Sequence, residues 1–198
     1  MSEPVLPLSC GAILYAFNPN GELGIILGDE ERSSIISYLP FKGGVEPGET
    51  PEQAAIREIE EETCGIVKLK SISLEHKFTT KRKEYQIGLA EVPYEIVNQF
   101  NQIIKHEDKD HYKEKRHIKF FLQRDLYRNP EIHPITKASL IYYKNKLEAL
   151  ARGSSINHNF SHFCGVSLNS IKRCNVYDKL ERCMSLKSWR RDLLNEIT

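Results

Sequence analysis

The pattern of apolar and polar positions predicts alternating strands and helices over most of the chain. Strand-forming runs at residues 9–17 and 23–27 flank the turn signal at residues 18–21, which predicts a hairpin with a loop at 28–34 beyond it. Further strands are predicted at residues 35–41, 67–78, 85–92 and 117–122, and helices at 51–63, 94–105 and 134–152. This mixture of strands and amphipathic helices predicts an α/β domain.

The helix at residues 51–63 has the clearest boundary signals. Thr50 is a favourable N-cap, Pro51 suits the first helical position, and Gln53 completes the spacing of a capping box. Gly65 is a natural C-terminal stop. Just before this helix, Gly43 and Gly44 predict a loop that needs backbone freedom or close approach.

The chain is expected to divide near residue 152. The segment Gly153-Ser-Ser155 resembles a hinge, so residues 1–152 are predicted to form one domain and residues 153–198 a small, mainly helical extension. The clearest helix of the extension is predicted at 186–197. Residues 152–198 carry a net charge of +4, whereas residues 1–151 carry −3.

Composition excludes several classes of protein. With 198 residues, 40% hydrophobic residues and a net charge of +1, the chain can bury a core and lacks the overall basicity typical of nucleic-acid binders. We find no secretory signal pattern and no apolar run long enough to span a membrane. Five irregularly spaced cysteines favour reduced thiols. These observations predict a cytoplasmic protein with no membrane partner.

Three carboxylates share one face of the predicted helix at 51–63. Glu58, Glu61 and Glu62 stand at i, i+3 and i+4, so their charges repel unless a cation lies among them. Mg²⁺ prefers such oxygen ligands and keeps sites free for water and phosphate. The alternative is a solvated acidic helix face, which is common.

The surrounding spacing decides between these interpretations, because it resembles the signature of the Nudix hydrolase family, G-x5-E-x7-R-E-U-x-E-E-x-G-U with U bulky and apolar. The matching positions are Gly43, Glu49, Arg57, Glu58, Ile59, Glu61 and Glu62. The chain departs from the signature once, since Thr63 and Cys64 both precede Gly65 where the family has one residue. We expect the extra residue to alter the end of the helix without moving the carboxylates.

The resemblance implies a fold, a reaction and a set of roles. The fold is the Nudix α/β/α sandwich with a mixed sheet, and the reaction is hydrolysis of a phosphoanhydride bond with Mg²⁺ or Mn²⁺. The implied metal ligands are Glu58, Glu61, Glu62 and the carbonyl of Gly43. Arg57 resembles the residue that holds the motif carboxylates, and Glu49 the supporting loop carboxylate. The general base is Glu61, Glu62 or a loop glutamate outside the motif.

Basic and aromatic residues near the motif are candidates for substrate binding. Lys42 and the turn Lys81-Arg82-Lys83, with Lys77, are predicted to clamp a polyphosphate or an RNA backbone. The turn could instead be a solvated hairpin end. The aromatic candidates for stacking on a base are Tyr38, Phe41, Phe78 and Tyr85, each of which could equally be a core residue.

Several substrates suit a polyphosphate clamp within this family. The context Pro40-Phe-Lys-Gly-Gly44 and the basic extension lead us to expect 5′-capped RNA, as in decapping Nudix enzymes. The alternatives are diphosphoinositol polyphosphates and dinucleoside polyphosphates or nucleotide sugars. A Nudix-fold binding module without hydrolysis is a further alternative, disfavoured because the motif carboxylates are all present.

The extension offers two weaker hypotheses. Its histidines and cysteines lack the paired spacing of a strong zinc site, and ordinary thiols are the simpler interpretation. The residues concerned are His158, His162, Cys164, Cys174 and Cys183. The basic segment Lys187-Ser-Trp-Arg-Arg191 could contact RNA or, as we prefer, dock as an amphipathic helix on the main domain.

Overall fold

The computed structural model describes residues 6–32, 35–106 and 115–160. Its strands are β1 (Leu8–Phe17), β2 (Leu23–Arg32), β3 (Ile35–Leu39), β4 (Phe41–Gly44), β5 (His76–Thr79), β6 (Glu84–Glu91) and β7 (Ile118–Leu122). Its helices are α1 (Pro51–Glu62), α2 (Ile96–His106), α3 (Pro134–Tyr142) and α4 (Lys144–Phe160), with a 3₁₀ helix at Gln123–Arg128.

The strands form one mixed sheet in the order β3-β2-β1-β6-β5, to which β4 is added beside β1 and β7 beside β2. The pairing of β1 with β6 is parallel and the other pairings are antiparallel. The predicted hairpin is confirmed, because Phe17 pairs with Leu23 across the turn. Strand β1 lies at the centre and its start contacts both β4 and β6.

Successive residues of β1 face opposite layers of helices. Leu14 belongs to a buried cluster with Ile59 of α1 and Phe100 of α2. Its neighbour Ile13 belongs to a second cluster with residues of α3 and α4, including Leu147. Complete burial of such side chains contributes about 2 kcal/mol each. Helices therefore cover both faces of the sheet, which confirms the predicted α/β/α sandwich.

Several predicted boundaries are wrong, for local physical reasons. Strand β2 continues to Arg32, through part of the predicted loop at 28–34, because it pairs with β3 there. The predicted strand at 35–41 is two strands separated by Pro40, which has no N–H to donate.

The predicted strand at 67–78 is confined to β5. The preceding residues run beside α1, where the N–H of Ile72 donates to Glu52 Oε1 at 3.0 Å. Ile72 and Leu74 pack towards Ala54 and Ala55 of α1. The alternating apolar residues of this segment are therefore buried against a helix. They do not pair with another strand.

The predicted helix at 134–152 is interrupted at Tyr143, and α4 then continues through the predicted hinge at 153–155. The Tyr143 hydroxyl donates to the carbonyl of Ile87 at 2.7 Å, which fixes this side chain in the core. The division of the chain at residue 152 stays a prediction. The predicted helix at 186–197 lies outside the described residues, as do the side chains of the zinc hypothesis.

Two further expectations concern thiols and membranes. Cys10 and Cys64 carry free thiols, and burial raises the pKa of Cys10 to about 11. Within the ranges that the structure describes, no helix is both long and apolar enough to cross a membrane.

Candidate active site

The site is built where β4 meets α1. The capping box is confirmed: Gln53 N–H donates to Thr50 Oγ1 at 3.2 Å, and Thr50 N–H donates to Gln53 Oε1 at 2.8 Å. The helix begins at Pro51 and continues through Glu62, and Thr63 is its C-cap. Cys64 and Gly65 follow with φ values of 54° and 74°. The extra residue of the motif is therefore accommodated in a left-handed turn after the three carboxylates.

Gly43 allows the strand to lie against the helix. It pairs with Cys10 in the sheet, so Gly43 and Gly44 belong to β4 and the loop predicted at this point begins after them. A Cβ atom at position 43 would overlap the carboxyl group of Glu58. The glycine is therefore required for close approach of Glu58 to the backbone of β4.

Arg57 links the loop before the helix to the carboxylates on it. Its Nε and Nη2 atoms contact the two carboxylate oxygens of Glu49 at 2.8 and 3.0 Å. Nη1 donates to Glu58 Oε1 at 2.8 Å and to Glu61 Oε2 at 2.9 Å, and Nη2 also donates to the Gly44 carbonyl at 2.8 Å. These bonds lower the pKa of Glu49 and raise that of Arg57. Two carboxylates therefore already converge on one positively charged nitrogen.

Glu62 follows Glu58 by one helical turn and is buried. Its Oε2 accepts from the backbone N–H of Lys42 at 2.9 Å, and its Oε1 lies 3.7 Å from Lys115 Nζ. Among the residues that the structure describes, no group of three or more acidic, histidine or cysteine side chains converges as a metal site. The site brings Glu58 and Glu61 together and places Glu62 beside cations.

The donor chemistry nevertheless fits a hard divalent cation. The helix face supplies carboxylate oxygens, and the backbone of β4 at Gly43 lies immediately beside the carboxyl group of Glu58. Glu58 and Glu61 also bind a cationic group in the described structure. The assignment of Glu58, Glu61, Glu62 and Gly43 as ligands stays a prediction.

The basic residues predicted to bind substrate lie at the same end of the sheet as Gly44. Glu84 N–H donates to Pro7 O at 3.0 Å and Val45 N–H to Leu8 O at 3.4 Å, so β6 and β4 flank the start of β1. The turn before β6 is closed by Thr80, whose hydroxyl accepts from Lys83 N–H at 3.1 Å. Its basic side chains, Lys81, Arg82 and Lys83, are exposed.

Lys42 is electrostatically coupled to two other lysines. Burial is the main cause that lowers its pKa, and the positive charges of Lys115 and Lys83 lower it further, against the opposing effects of Glu62 and Glu30. Lys42, through its backbone N–H, and Lys115, through Nζ, both lie beside Glu62, and these two residues are here called the lysine group.

Lys115 was not predicted from the sequence. It belongs to a charged stretch that favours a loop, and nothing in its immediate neighbours distinguishes it from the other lysines there. Its partner Glu62 is distant in sequence and is reached only through the fold.

The predicted aromatic candidates separate into core residues and a stacked group. Phe41 is fully buried and Tyr38 packs edge-on against Phe121 with centroids 4.8 Å apart, so both belong to the core. Phe78 and Tyr85 stack with centroids 5.0 Å apart.

The stack continues through two residues that the sequence did not single out. His76 stacks on Phe78 at 4.6 Å and on Tyr142 at 4.5 Å. Tyr142 is 52% exposed, so the rings extend from the buried Tyr85 to the surface. This group, here called the aromatic stack, comprises Tyr85, Phe78, His76 and Tyr142.

The fold and the acidic helix face together define a class of hydrolase that acts on phosphoanhydride bonds. A family model described as NUDIX domain matches residues 9–137, and the chain therefore belongs to the Nudix hydrolase family. Members of this family generally use divalent metal ions and act on phosphorylated small molecules. No curated protein sequence matches the chain.

Solved structures with a similar fold include three Nudix-related proteins. A C. elegans Ap4A hydrolase in a binary complex is 20% identical, with 78% of this chain and 100% of that chain covered and a TM-score of 0.45. A mutT/nudix family protein from Listeria innocua is 20% identical, with 81% and 100% covered and a TM-score of 0.46. A NUDIX family hydrolase from Clostridium perfringens is 17% identical, with 74% and 99% covered and a TM-score of 0.49.

Proposed function

We propose that this protein is a Mg²⁺- or Mn²⁺-dependent pyrophosphohydrolase of the cytoplasm that cleaves a polyphosphate bridge in 5′-capped RNA. The observation that carries the proposal is that Glu62 of the acidic helix face accepts from the backbone N–H of Lys42 and lies 3.7 Å from Lys115 Nζ, so the carboxylates and basic residues meet at this point. A phosphoanhydride substrate requires both kinds of charge, because oxygen ligands hold the divalent ion and cations bind the phosphates.

The proposed ligands of the ion are Glu58, Glu61, Glu62 and the Gly43 carbonyl. A divalent ion bound there lowers the pKa of water and neutralises charge on the bridging phosphates. Glu61 is 60% exposed whereas Glu62 is 5% exposed, so Glu61 is the carboxylate that solvent and substrate reach more easily. We assign the general base to one of these two residues.

Arg57 is proposed to hold the motif carboxylates in position. Its planar group binds Glu49 on one side and Glu58 and Glu61 on the other, which fixes the helix face relative to the loop. Glu49 is then a supporting residue that orients Arg57.

Lys42 and the exposed basic turn are proposed to bind the phosphates. Lys42 is held beside the motif by its backbone bond to Glu62. Lys83 continues the positive charge into the exposed turn with Lys81 and Arg82. Positive charge thus extends from the partly buried Lys42 to the exposed basic turn. This arrangement suits a substrate whose negative charge extends beyond one diphosphate.

We favour a nucleoside-containing substrate over an inositol polyphosphate, with the exposed end of the aromatic stack as the surface for its base. Stacking of a base on aromatic rings contributes about 1–3 kcal/mol per base, and an inositol ring has no π-face to exploit. Tyr85 and Phe78 pack with residues of α3 and α4, on the opposite face of the sheet from α1, so Tyr142 is the exposed ring that the stack offers to a base. A dinucleoside polyphosphate would use the same features and is the second candidate.

A panel of substrates tests the proposal. Purified protein is incubated with capped RNA, a dinucleoside polyphosphate and a diphosphoinositol polyphosphate, each with Mg²⁺, with Mn²⁺ and with chelator. We expect metal-dependent release of the cap nucleoside diphosphate from the RNA. The kcat/KM for capped RNA should be at least tenfold above that for either other substrate. A preference for either other substrate would replace the RNA assignment, and inactivity towards the whole panel would favour the binding-module alternative.

A further inference from the structure

The chain returns to the sheet at a point fixed by Asp29 on β2. The Asp29 Oδ1 atom accepts from the backbone N–H groups of Arg116 and His117 at 2.9 and 2.7 Å, and Asp29 N–H donates to the His117 carbonyl at 2.9 Å. Hydrogen bonds to a carboxylate are stronger than those between neutral groups. The backbone just after Lys115 is therefore held against β2 before β7 begins.

Gly28, the neighbour of Asp29, provides the space that the side chain of Lys115 occupies. A Cβ atom at position 28 would lie 2.5 Å from Lys115 Cδ and 3.0 Å from Cε. The contact is closer than packed carbon atoms permit. The lysine stem thus lies directly over the glycine and leads its ammonium group towards α1.

At the end of this path, Lys115 and Glu62 form a buried ion pair. Their side chains are 3% and 5% exposed, and Nζ lies 3.7 Å from Oε1. Buried charges are costly unless they are paired, and removal of one partner leaves the other uncompensated. The second oxygen of Glu62 is bound by Lys42 N–H at 2.9 Å, so both oxygens have defined neighbours.

We propose that Lys115 is a built-in counter-cation of Glu62 that competes with the divalent ion and thereby sets the affinity of the site for metal. The inference rests on the proposed role of Glu62 as a metal ligand. Because Lys115 acts through Glu62, it is a positioning residue. When its charge is present, a divalent ion must bind a carboxylate that is already neutralised. When the charge is removed, the same carboxylate attracts the ion more strongly.

The test measures Mn²⁺ binding directly, by electron paramagnetic resonance of free Mn²⁺ and by calorimetry, with the full-length protein and no substrate. We expect Lys115→Met to bind Mn²⁺ about tenfold more tightly than the wild type, which is a usual size for coupling between two sites. Lys115→Arg keeps the charge and should stay within about threefold of the wild type.

Gly28→Ala supplies a second variant that keeps the lysine. The added methyl group displaces the flexible Lys115 stem from Glu62, so this protein should also bind Mn²⁺ more tightly. The Mn²⁺ affinity of Gly28→Ala therefore tests the inference even if Lys115→Met does not fold. Lys119→Met is the matched control, because Lys119 is 45% exposed and pairs with Glu131 away from the motif. Its Mn²⁺ affinity should equal that of the wild type.

A merely structural role for Lys115 predicts lower thermal stability with unchanged Mn²⁺ affinity in both variants, and this result would overturn the inference. Weaker Mn²⁺ binding would overturn it as well. The proposed function is judged separately with Glu62→Gln. If that variant binds Mn²⁺ as tightly as the wild type, or if the wild type binds none, the ligand assignment fails and the inference fails with it.

Discussion

Arg57 Nη1 lies 2.8 Å from Glu58 Oε1, although the two residues are neighbours on a helix. Adjacent helical side chains point in directions about 100° apart and do not normally meet. The contact forms because Glu49 and the Gly44 carbonyl fix the guanidinium across the helix face. The position of Arg57 is therefore determined by several partners at once, and its planar shape is part of the site.

We expect Arg57→Lys to lower kcat/KM about 10- to 100-fold, the usual effect of losing a residue that orients metal ligands. A lysine keeps the charge but cannot contact Glu49, Glu58 and the Gly44 carbonyl together. Steady-state kinetics at saturating Mg²⁺ measure the effect. The control is Arg124→Lys, which alters an exposed ion pair with Glu22 and should leave kcat/KM unchanged. Equal activity of the two variants would remove Arg57 from the site.

Replacing Glu61 or Glu62 by glutamine removes the negative charge, keeps the shape of the side chain and tests the role of each carboxylate. Glu61→Gln and Glu62→Gln should each lower the rate about 10²-fold or more, as for other charge-stabilising groups, while circular dichroism stays like that of the wild type. Glu60→Gln is the control on the same helix, because the Glu60 side chain is 41% exposed and pairs with Lys68. Full activity in folded Glu61→Gln or Glu62→Gln would contradict the assignment.

The parts of the site that the sequence predicts are those encoded locally. The capping box, the glycines of β4 and the acidic face of α1 lie within about one loop and one helix of each other, so their spacing carries the geometry. Arg57 and Glu49 were recognised through the same spacing. The central hairpin was also predicted, because its turn and its two apolar runs are contiguous.

The parts that the sequence does not predict depend on distant contacts. Lys115 acquires its role only because Asp29 holds the backbone and Gly28 leaves space, and both lie on another strand. The interruption between α3 and α4 at Tyr143 could not be predicted either. It is associated with a hydrogen bond from the Tyr143 hydroxyl to a carbonyl of β6. Propensity and periodicity describe local preferences, and tertiary contacts override them at such points.

His76 makes stability depend on pH. Burial lowers the pKa of its imidazole, which also lies 3.1 Å from Ser139 Oγ. The folded protein therefore binds this proton less readily than the unfolded chain, and stability decreases as the pH falls below about 6.5, the unperturbed histidine value. In His76→Phe the loss of stability between about pH 6.5 and 5 should be smaller, as measured by urea unfolding.

The exposed residue His117 provides the comparison for this prediction. His117→Asn should retain the pH dependence of the wild type, because it leaves His76 between Phe78 and Tyr142. If His76→Phe and the wild type lose stability equally on acidification, other groups account for the pH dependence.

The proposed domain of residues 1–152 can be tested by truncation. It retains Leu147, Leu150 and Ala151, the residues of α4 that pack on the second core cluster. We therefore expect the shortened protein to be soluble and to unfold in one cooperative thermal transition. A product that aggregates or lacks a transition would show that residues beyond 152 are needed for folding. A chain ending at residue 160 would then show whether the rest of α4 is sufficient.

The exposed turn Lys81-Arg82-Lys83 is predicted to act on substrate binding more than on the chemical step. It lies outside the carboxylate cluster, but the charge of Lys83 is one of the causes that lower the pKa of Lys42. Three cations near a polyanionic substrate raise affinity and encounter rate, and salt screens the effect. Replacing all three by serine should raise KM about tenfold and change kcat by less than about threefold.

The same replacement should change the response to salt. If the substrate is RNA, the variant releases fewer counterions on binding, so its dissociation constant should depend less steeply on the logarithm of salt concentration. The matched control replaces Lys68, Lys70 and Lys144 by serine, which removes an equal charge from other parts of the domain. A change in net charge alone would affect both variants alike. A local role of the turn predicts that only the variant of the turn has a higher KM and a shallower salt dependence.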